Sequence, residues 1–317
     1  MKLGHECRFE ISPVAPFHFE LTMRKPAGWS LFNSGEILES GNLWTATRIL
    51  GKIVGLKLRS TGTLESPHIA VTLFTALPVE THERTDIRRA LAMHIGADQD
   101  LKSFYEMARK DNILTHAVKD LYGMHDTQSA YLFDSVVLSI CLQMARMDRS
   151  ERMMDAINRG YGTKVEFDGK AILVEPAAET IARLRPREFS RRCKLGYRAK
   201  YLIGAAKMIA DGFPDALQIM RMHPDEAKKK LMELPGVGDY AADIINPHGG
   251  FPIDAWSVDV FSKLFFDKEP LNAREAVLSV KEEGRRRWGK FSWMAFFYVV
   301  QDLRNLSEHL GIQLRMH

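Results

Sequence analysis

The chain has 317 residues, 45% hydrophobic and 26% charged, the balance of a globular protein with a sizeable core and not of a disordered or fibrous one. Lys and Arg outnumber Asp and Glu by 44 to 40, so a formal charge of +4 does not by itself point to a polyanionic partner. Cys7, Cys141 and Cys193 stand far apart, which argues against a disulfide framework, a zinc site and the four-cysteine spacing of an iron-sulfur cluster.

Neither a secretory leader nor a long uncharged apolar stretch is apparent, so the expected setting is intracellular, cytoplasmic or at the nucleoid, without a membrane. The expected fold class is α+β: an antiparallel β subdomain over residues 1–83, then a mainly helical core over 84–317. Residues 17–24 alternate apolar and polar side chains at the strand period. Further strands are expected at 43–47, 52–58 and 68–76, separated by turns at Asn33-Ser34-Gly35 and Ser60-Thr61-Gly62. Trp29 and Trp44 are expected to pack within this sheet.

From residue 84 apolar side chains recur at helical spacing. Residues 134–147 read as a buried central helix and 162–174 as a small β-hairpin. Basic runs occur at 183–200, with eight Arg or Lys, and at 228–230 and 285–287. Each fits a solvated helix face as well as a nucleic-acid contact. Over 196–210, Tyr197, Tyr201, Ala205 and Met208 fall on one helical face.

The most informative stretch is 224–246. An amphipathic helix opens at Pro224, runs into Leu234-Pro235-Gly236-Val237-Gly238, and a second helix begins near Asp239. Two glycines permit close approach of a partner, and the amides from Gly236 to Asp239 could hold a phosphate without side-chain charge. An isolated Gly-x-Gly would be a tight turn between packed helices. Over 247–256 follows a Gly-rich link, His248-Gly249-Gly250-Phe251-Pro252-Ile253-Asp254-Ala255-Trp256, leading into another apolar helix.

With these two motifs the sequence resembles the helix-hairpin-helix superfamily of DNA glycosylases, in its 3-methyladenine and 8-oxoguanine branch. Residues 195–201 and, more weakly, 140–144 also match, so the resemblance spans roughly 120–304, and the N-terminal sheet fits the family's amino-terminal subdomain. The resemblance implies that Asp254 is the catalytic carboxylate; an N-cap for the next helix is the alternative role, and both can hold together. Where bifunctional members carry a lysine that forms a Schiff base, this chain has Tyr240, so the strand-cleaving lyase step should be missing. Lys263 is expected on the wrong helix face to substitute.

By the same resemblance Met144, beside Gln143, is placed to fill the gap left by an extruded nucleotide, with core packing as the alternative. Tyr240, Trp256, Trp288 and Trp293 are candidates for the base pocket, where electron-rich rings would stack on a cationic alkylated base. The main-chain carbonyls of Met232, Leu234 and Val237 correspond to a monovalent cation site for Na+ or K+. No other cofactor is required, and the expected partner is double-stranded DNA with a damaged base, bound by a monomer. The activity so implied is removal of alkylated purines of the 3-methyladenine type. The alternatives are an 8-oxoguanine or hypoxanthine glycosylase and, in another class, a non-catalytic DNA-binding protein.

Overall fold

The computed structural model describes residues 1–27, 35–246, 248–254, 256–270 and 272–314. Trp29 and the Asn33-Ser34 part of the expected turn lie outside them. Strands β1 (His5–Ile11), β2 (Ile37–Glu39), β3 (Asn42–Ile49), β4 (Lys52–Ser60) and β5 (Ile69–Thr75) form one antiparallel sheet in the order β1-β5-β4-β3-β2. The β3–β4 connection is a two-residue turn at Leu50-Gly51, both with positive φ, which matches the twist of the flanking strands.

The helices are α1 (Phe19–Arg24), α2 (Thr81–His94), α3 (Lys102–Ala108), α4 (Leu114–Asp120), α5 (Leu132–Leu142), α6 (Met147–Tyr161), α7 (Ala178–Ala182) and α8 (Pro186–Cys193). After these come α9 (Arg198–Ala210), α10 (Ala216–Met220), α11 (Pro224–Leu231), α12 (Asp239–Ile245), α13 (Ser257–Phe266), α14 (Ala273–Trp288), α15 (Ser292–Gln301) and α16 (Leu303–Leu310). A hairpin of β6 (Thr163–Phe167) and β7 (Lys170–Val174) interrupts them, as expected, and packs Val165, Phe167, Ile172 and Val174 with Trp44 and Phe74 on one face of the sheet. The other face is covered by α2 through Ile87, Ala90 and Leu91.

Two expectations fail. Residues 17–24 are not a strand: Phe19–Arg24 is helical, with the His18 Nδ1 accepting the Leu21 amide and Phe19 and Thr22 buried three residues apart. The strand alternation there is coincidental, because capping and burial at i, i+3 win over the pattern. The first strand is instead β1, whose Cys7, Phe9 and Ile11 alternate inward. The central helix is also shorter than 134–147. It stops at Leu142, where Gln143 turns extended and Met144 takes φ +49.

The helical part has two apolar cores. One gathers Phe133, Ile140, Phe189, Leu202, Leu231 and Ala242 from α5 to α12. The second gathers Phe104, Phe251, Phe261, Trp288, Phe297 and Tyr298, from α3, α4 and the elements after the 247–256 loop. The chain crosses between them through that loop, which therefore lies at their junction.

Candidate functional site

Helix α11 begins with Pro224 at its first turn and ends at Met232; the hairpin follows and α12 starts at Asp239, as the punctuation of the sequence predicts. Gly236 has φ +84, and a Cβ there would lie 2.6 Å from the Tyr201 Cβ, so only glycine lets the hairpin seat on α9. Gly238 is exposed, and a Cβ on it would meet open space, leaving the main chain of this corner accessible.

The hairpin is joined to the turn after α5. Gln143 Nε2 donates to the Gly236 carbonyl at 2.8 Å, and the buried Arg198 donates to the carbonyls of Ile140 and Gln143. This clamp sets Met144 out from the surface at 81% exposure, beside the hairpin. The core alternative for Met144 is thereby removed.

Beneath the hairpin, Asp243 is 1% exposed and accepts from Lys228 at 2.5 Å and from Lys281 at 3.0 Å. Asp239 accepts from the same two lysines, so its carboxylate faces this network and only its main chain can serve an anion. Desolvation opposes ionisation of Asp239, but the hydrogen bonds from Lys228 and Lys281 together outweigh it and hold its carboxyl at about 2. The basic runs are thus partly internal: Lys228 and Arg198 are structural, and Arg286 and Arg287 pair with Glu283.

Asp254 ends the Gly-rich loop. Its Oδ1 accepts from the Trp256 amide at 3.0 Å and from the Ser257 amide and Oγ at 2.8 Å each, and its own amide donates to Ser257 Oγ at 2.8 Å. Asp254 therefore caps α13 with one oxygen. The other, Oδ2, accepts from the Tyr240 hydroxyl at 3.4 Å. Burial, then the adjacent Asp254 charge, push the Tyr240 phenol well above its usual range, so it stays a neutral donor. Lys263 is paired with Asp267 at 2.6 Å on the outer side of α13.

Tyr240 and Trp293 line a cavity at the junction of the two helical cores, with Leu142, Pro252, Phe296 and Phe297 also contributing. Gly249, at φ +80, is pressed against Trp293, where a Cβ would lie 2.2 Å from the tryptophan Cβ. Two other expected pocket residues are corrected. Trp288 is 2% exposed, packed edge-to-face against Phe251, Phe261 and Phe265 with its Nε1 donating to Asp111 at 3.1 Å; it is a core residue. Trp256, at the N-cap position of α13, packs on the same core and is not among the side chains lining the cavity.

Sequence reasoning missed polar members of the wall, among them Lys25, Asp126 and Gln301. Asp126 Oδ2 accepts from Trp293 Nε1 at 2.8 Å and Lys25 bonds Thr127. Burial raises the Asp126 carboxyl, with Lys25 opposing, and lowers the Lys25 ammonium, with Asp126 opposing. These residues come from segments 100 or more positions apart, so no local pattern could have grouped them.

For a monovalent cation at the hairpin, the donors present fit. Met232 caps the carbonyl end of α11, where the helix dipole attracts a cation, and Pro235 has no N–H to occupy a carbonyl. The Leu234 carbonyl accepts the Val237 amide at 3.0 Å and retains a second lone pair.

No family profile matches the chain. It is 25% identical to the DNA-3-methyladenine glycosylase of Bacillus subtilis (strain 168) over 227 residues, 70% of this chain and 74% of that protein. Its structure is similar to that of a 3-methyladenine DNA glycosylase from Archaeoglobus fulgidus, with a TM-score of 0.71 at 22% identity, covering 94% of this chain and 99% of that one. It is also similar to the 8-oxoguanine glycosylase/lyase of Clostridium acetobutylicum in complex with double-stranded DNA, with a TM-score of 0.68 at 18% identity over 98% and 100% of the two chains.

Proposed function

We propose that this protein, whose fold and sequence relatives are those of the helix-hairpin-helix DNA glycosylases, hydrolyses the N-glycosidic bond of alkylated purines turned out of duplex DNA, without lyase activity. The observation that carries the reading is the contact between Asp254 and Tyr240, whose side chain lines the cavity. The position that would supply an amine supplies a phenol, so the chemistry falls to Oδ2, the carboxylate oxygen that does not cap α13.

Asp254 Oδ2 would stand against the positive charge that develops on the deoxyribose as the C1′–N bond breaks and its electron pair leaves with the base. Water then adds to C1′ and gives up a proton, which the same carboxylate would accept. A single anion is sufficient when the base is already cationic and leaves as a neutral molecule. The rings of Trp293, Phe296, Phe297 and Tyr240 suit such a cation, whose attraction to an aromatic face strengthens out of water.

Met144 would fill the vacated stack, an unbranched apolar side chain on a turn clamped to the hairpin, and the amides of Gly236, Gly238 and Asp239 would grip the backbone, that of Val237 being spent on the Leu234 carbonyl. A cation on the carbonyls of Met232, Leu234 and Val237 would stiffen that grip and takes no part in bond cleavage. The test is incubation with duplexes carrying single alkylated, deaminated or oxidised bases, followed by alkali to cut abasic sites. Cleavage only after alkali, strongest with alkylated purines, supports the reading; strand scission without alkali overturns it.

A further inference from the structure

Gln301 ends α15 and stands in the cavity wall at 4% exposure. Its Oε1 accepts the Ala27 amide at 3.0 Å, which fixes the orientation of the carboxamide, and its Nε2 has no hydrogen-bond partner among the described residues. Native folds leave few buried N–H groups unpaired, because such a group loses water and gains nothing. An acceptor brought by a ligand would complete this one. Lys25 lies in the same wall, so the electrical environment beside Gln301 includes a cation balanced by Asp126.

We propose that Gln301 is a specificity-determining residue, its Nε2 donating a hydrogen bond to a carbonyl oxygen on the edge of the extruded base; this rests on the base-excision reading above. The substrate class it favours is a neutral purine bearing a ring carbonyl. When the glycosidic bond of such a base breaks, the base leaves with an extra electron pair and its oxygen becomes more negative. A fixed donor at that oxygen is worth more in the transition state than in the ground state. A cationic alkylated purine leaves neutral, so the same donor helps it little, and the aromatic rings hold it instead. The cavity thus carries two selection devices, stacking for charge and Gln301 for a carbonyl.

The experiment compares single-turnover excision of hypoxanthine and of 3-methyladenine from otherwise identical duplexes. Gln301→Leu should lower the hypoxanthine rate by about 10-fold or more and the 3-methyladenine rate by less than about 3-fold, since only the first loses a transition-state donor. Gln301→Glu, which keeps the size of the side chain and an acceptor for Ala27, should show the same split. Equal losses on both lesions would mean a structural role and overturn the proposal, as would an unchanged hypoxanthine rate.

Calorimetric titration with free bases reads the wall without turnover. The wild-type protein should bind hypoxanthine about 5-fold more tightly than purine, the same ring without the oxygen, and Gln301→Leu should bind the two alike. A wild-type protein that excises neither lesion fails the excision reading, while the free-base preference still decides the role of Gln301.

Discussion

Gln143 and Gly236, 93 residues apart, are joined by a 2.8 Å hydrogen bond from the Gln143 side chain to the hairpin carbonyl. Through it the exposed Met144 and the hairpin form one rigid edge, and the cavity opens beside them, between the two helical cores. On the proposed function, a nucleotide backbone held at the hairpin would meet Met144 and the cavity at fixed distances.

Breaking that edge should separate binding from extrusion. Met144→Ala should keep duplex affinity within about 3-fold and slow excision from paired DNA by about 10-fold, because unstacking is no longer offset. Excision from single strands, where no stack must be refilled, should change little. Single-turnover assays on both substrates check this; equal slowing on both would detach Met144 from extrusion.

Asp254→Asn retains an oxygen to cap α13, so the fold should survive with its melting temperature within a few degrees. Excision should fall by at least about 100-fold, the usual scale for removing an electrostatic stabiliser of a transition state. DNA binding, measured by fluorescence anisotropy, should persist. Wild-type rates in this variant would remove Asp254 from the mechanism.

Borohydride added during turnover should trap no covalent protein–DNA adduct, since the side chain facing Asp254 is a phenol that cannot form an imine. Tyr240→Phe should leave the cavity's shape intact and lose the contact to Asp254 Oδ2, lowering kcat several-fold, on the scale of one long hydrogen bond of about 1 kcal/mol. Tyr240→Ala should in addition weaken discrimination among bases. A trapped adduct would assign a lyase step to another amine.

Lys281→Met leaves Asp243, 1% exposed, with only Lys228 to balance its charge. Removing one partner of a buried ion pair costs about 3–5 kcal/mol, and Lys228 should reduce that loss toward the lower value. Urea unfolding of the variant measures it. Since a Cβ on Gly250 would lie 2.2 Å from Asp243 Oδ1, a shift of this carboxylate also moves the loop that carries Asp254, and excision should fall with stability.

Burial holds the His94 imidazole down at about 4, against its 2.6 Å hydrogen bond to the Gln128 carbonyl. The unfolded chain binds a proton there near pH 6.5 and the folded chain only near 4, so stability from this group is complete above 6.5 and lost as pH falls through that window. The loss is of order 3 kcal/mol at its full extent. Thermal melts of the wild type and of His94→Gln should diverge between pH 7 and 4 by this amount, the difference isolating His94 from carboxylates that act in the same range. Asp302, raised by burial to about 7, acts oppositely, its contribution fading as pH rises from about 4 to about 7.

Local chemistry made much of the molecule legible. Pro224, the Leu234–Gly238 run and the glycines before Asp254 carry their conformations in their own side chains or lack of them, so the hairpin and the carboxylate loop could be read directly. Strands β3, β4 and β5 were equally plain, because alternation and turn residues agree there. Residues 17–24 were misread because Phe17, Phe19, Leu21 and Met23 alternate at the strand period over a stretch too short for a helical period to show, and only His18 capping and the burial of Phe19 and Thr22 reveal the helix.

The amino-acid order thus determined the fold class, the hairpin, the cap at Asp254 and the absence of an amine at position 240. Tertiary structure alone decided which aromatic rings face the cavity, sending Trp293 to it and Trp288 into the core, and it alone brought Lys25, Asp126 and Gln301 to one wall. The physical reason is range. Turns, caps and glycine conformations are settled within a few residues, whereas a cavity between two cores is assembled by contacts that join segments up to 276 positions apart, as from Lys25 to Gln301.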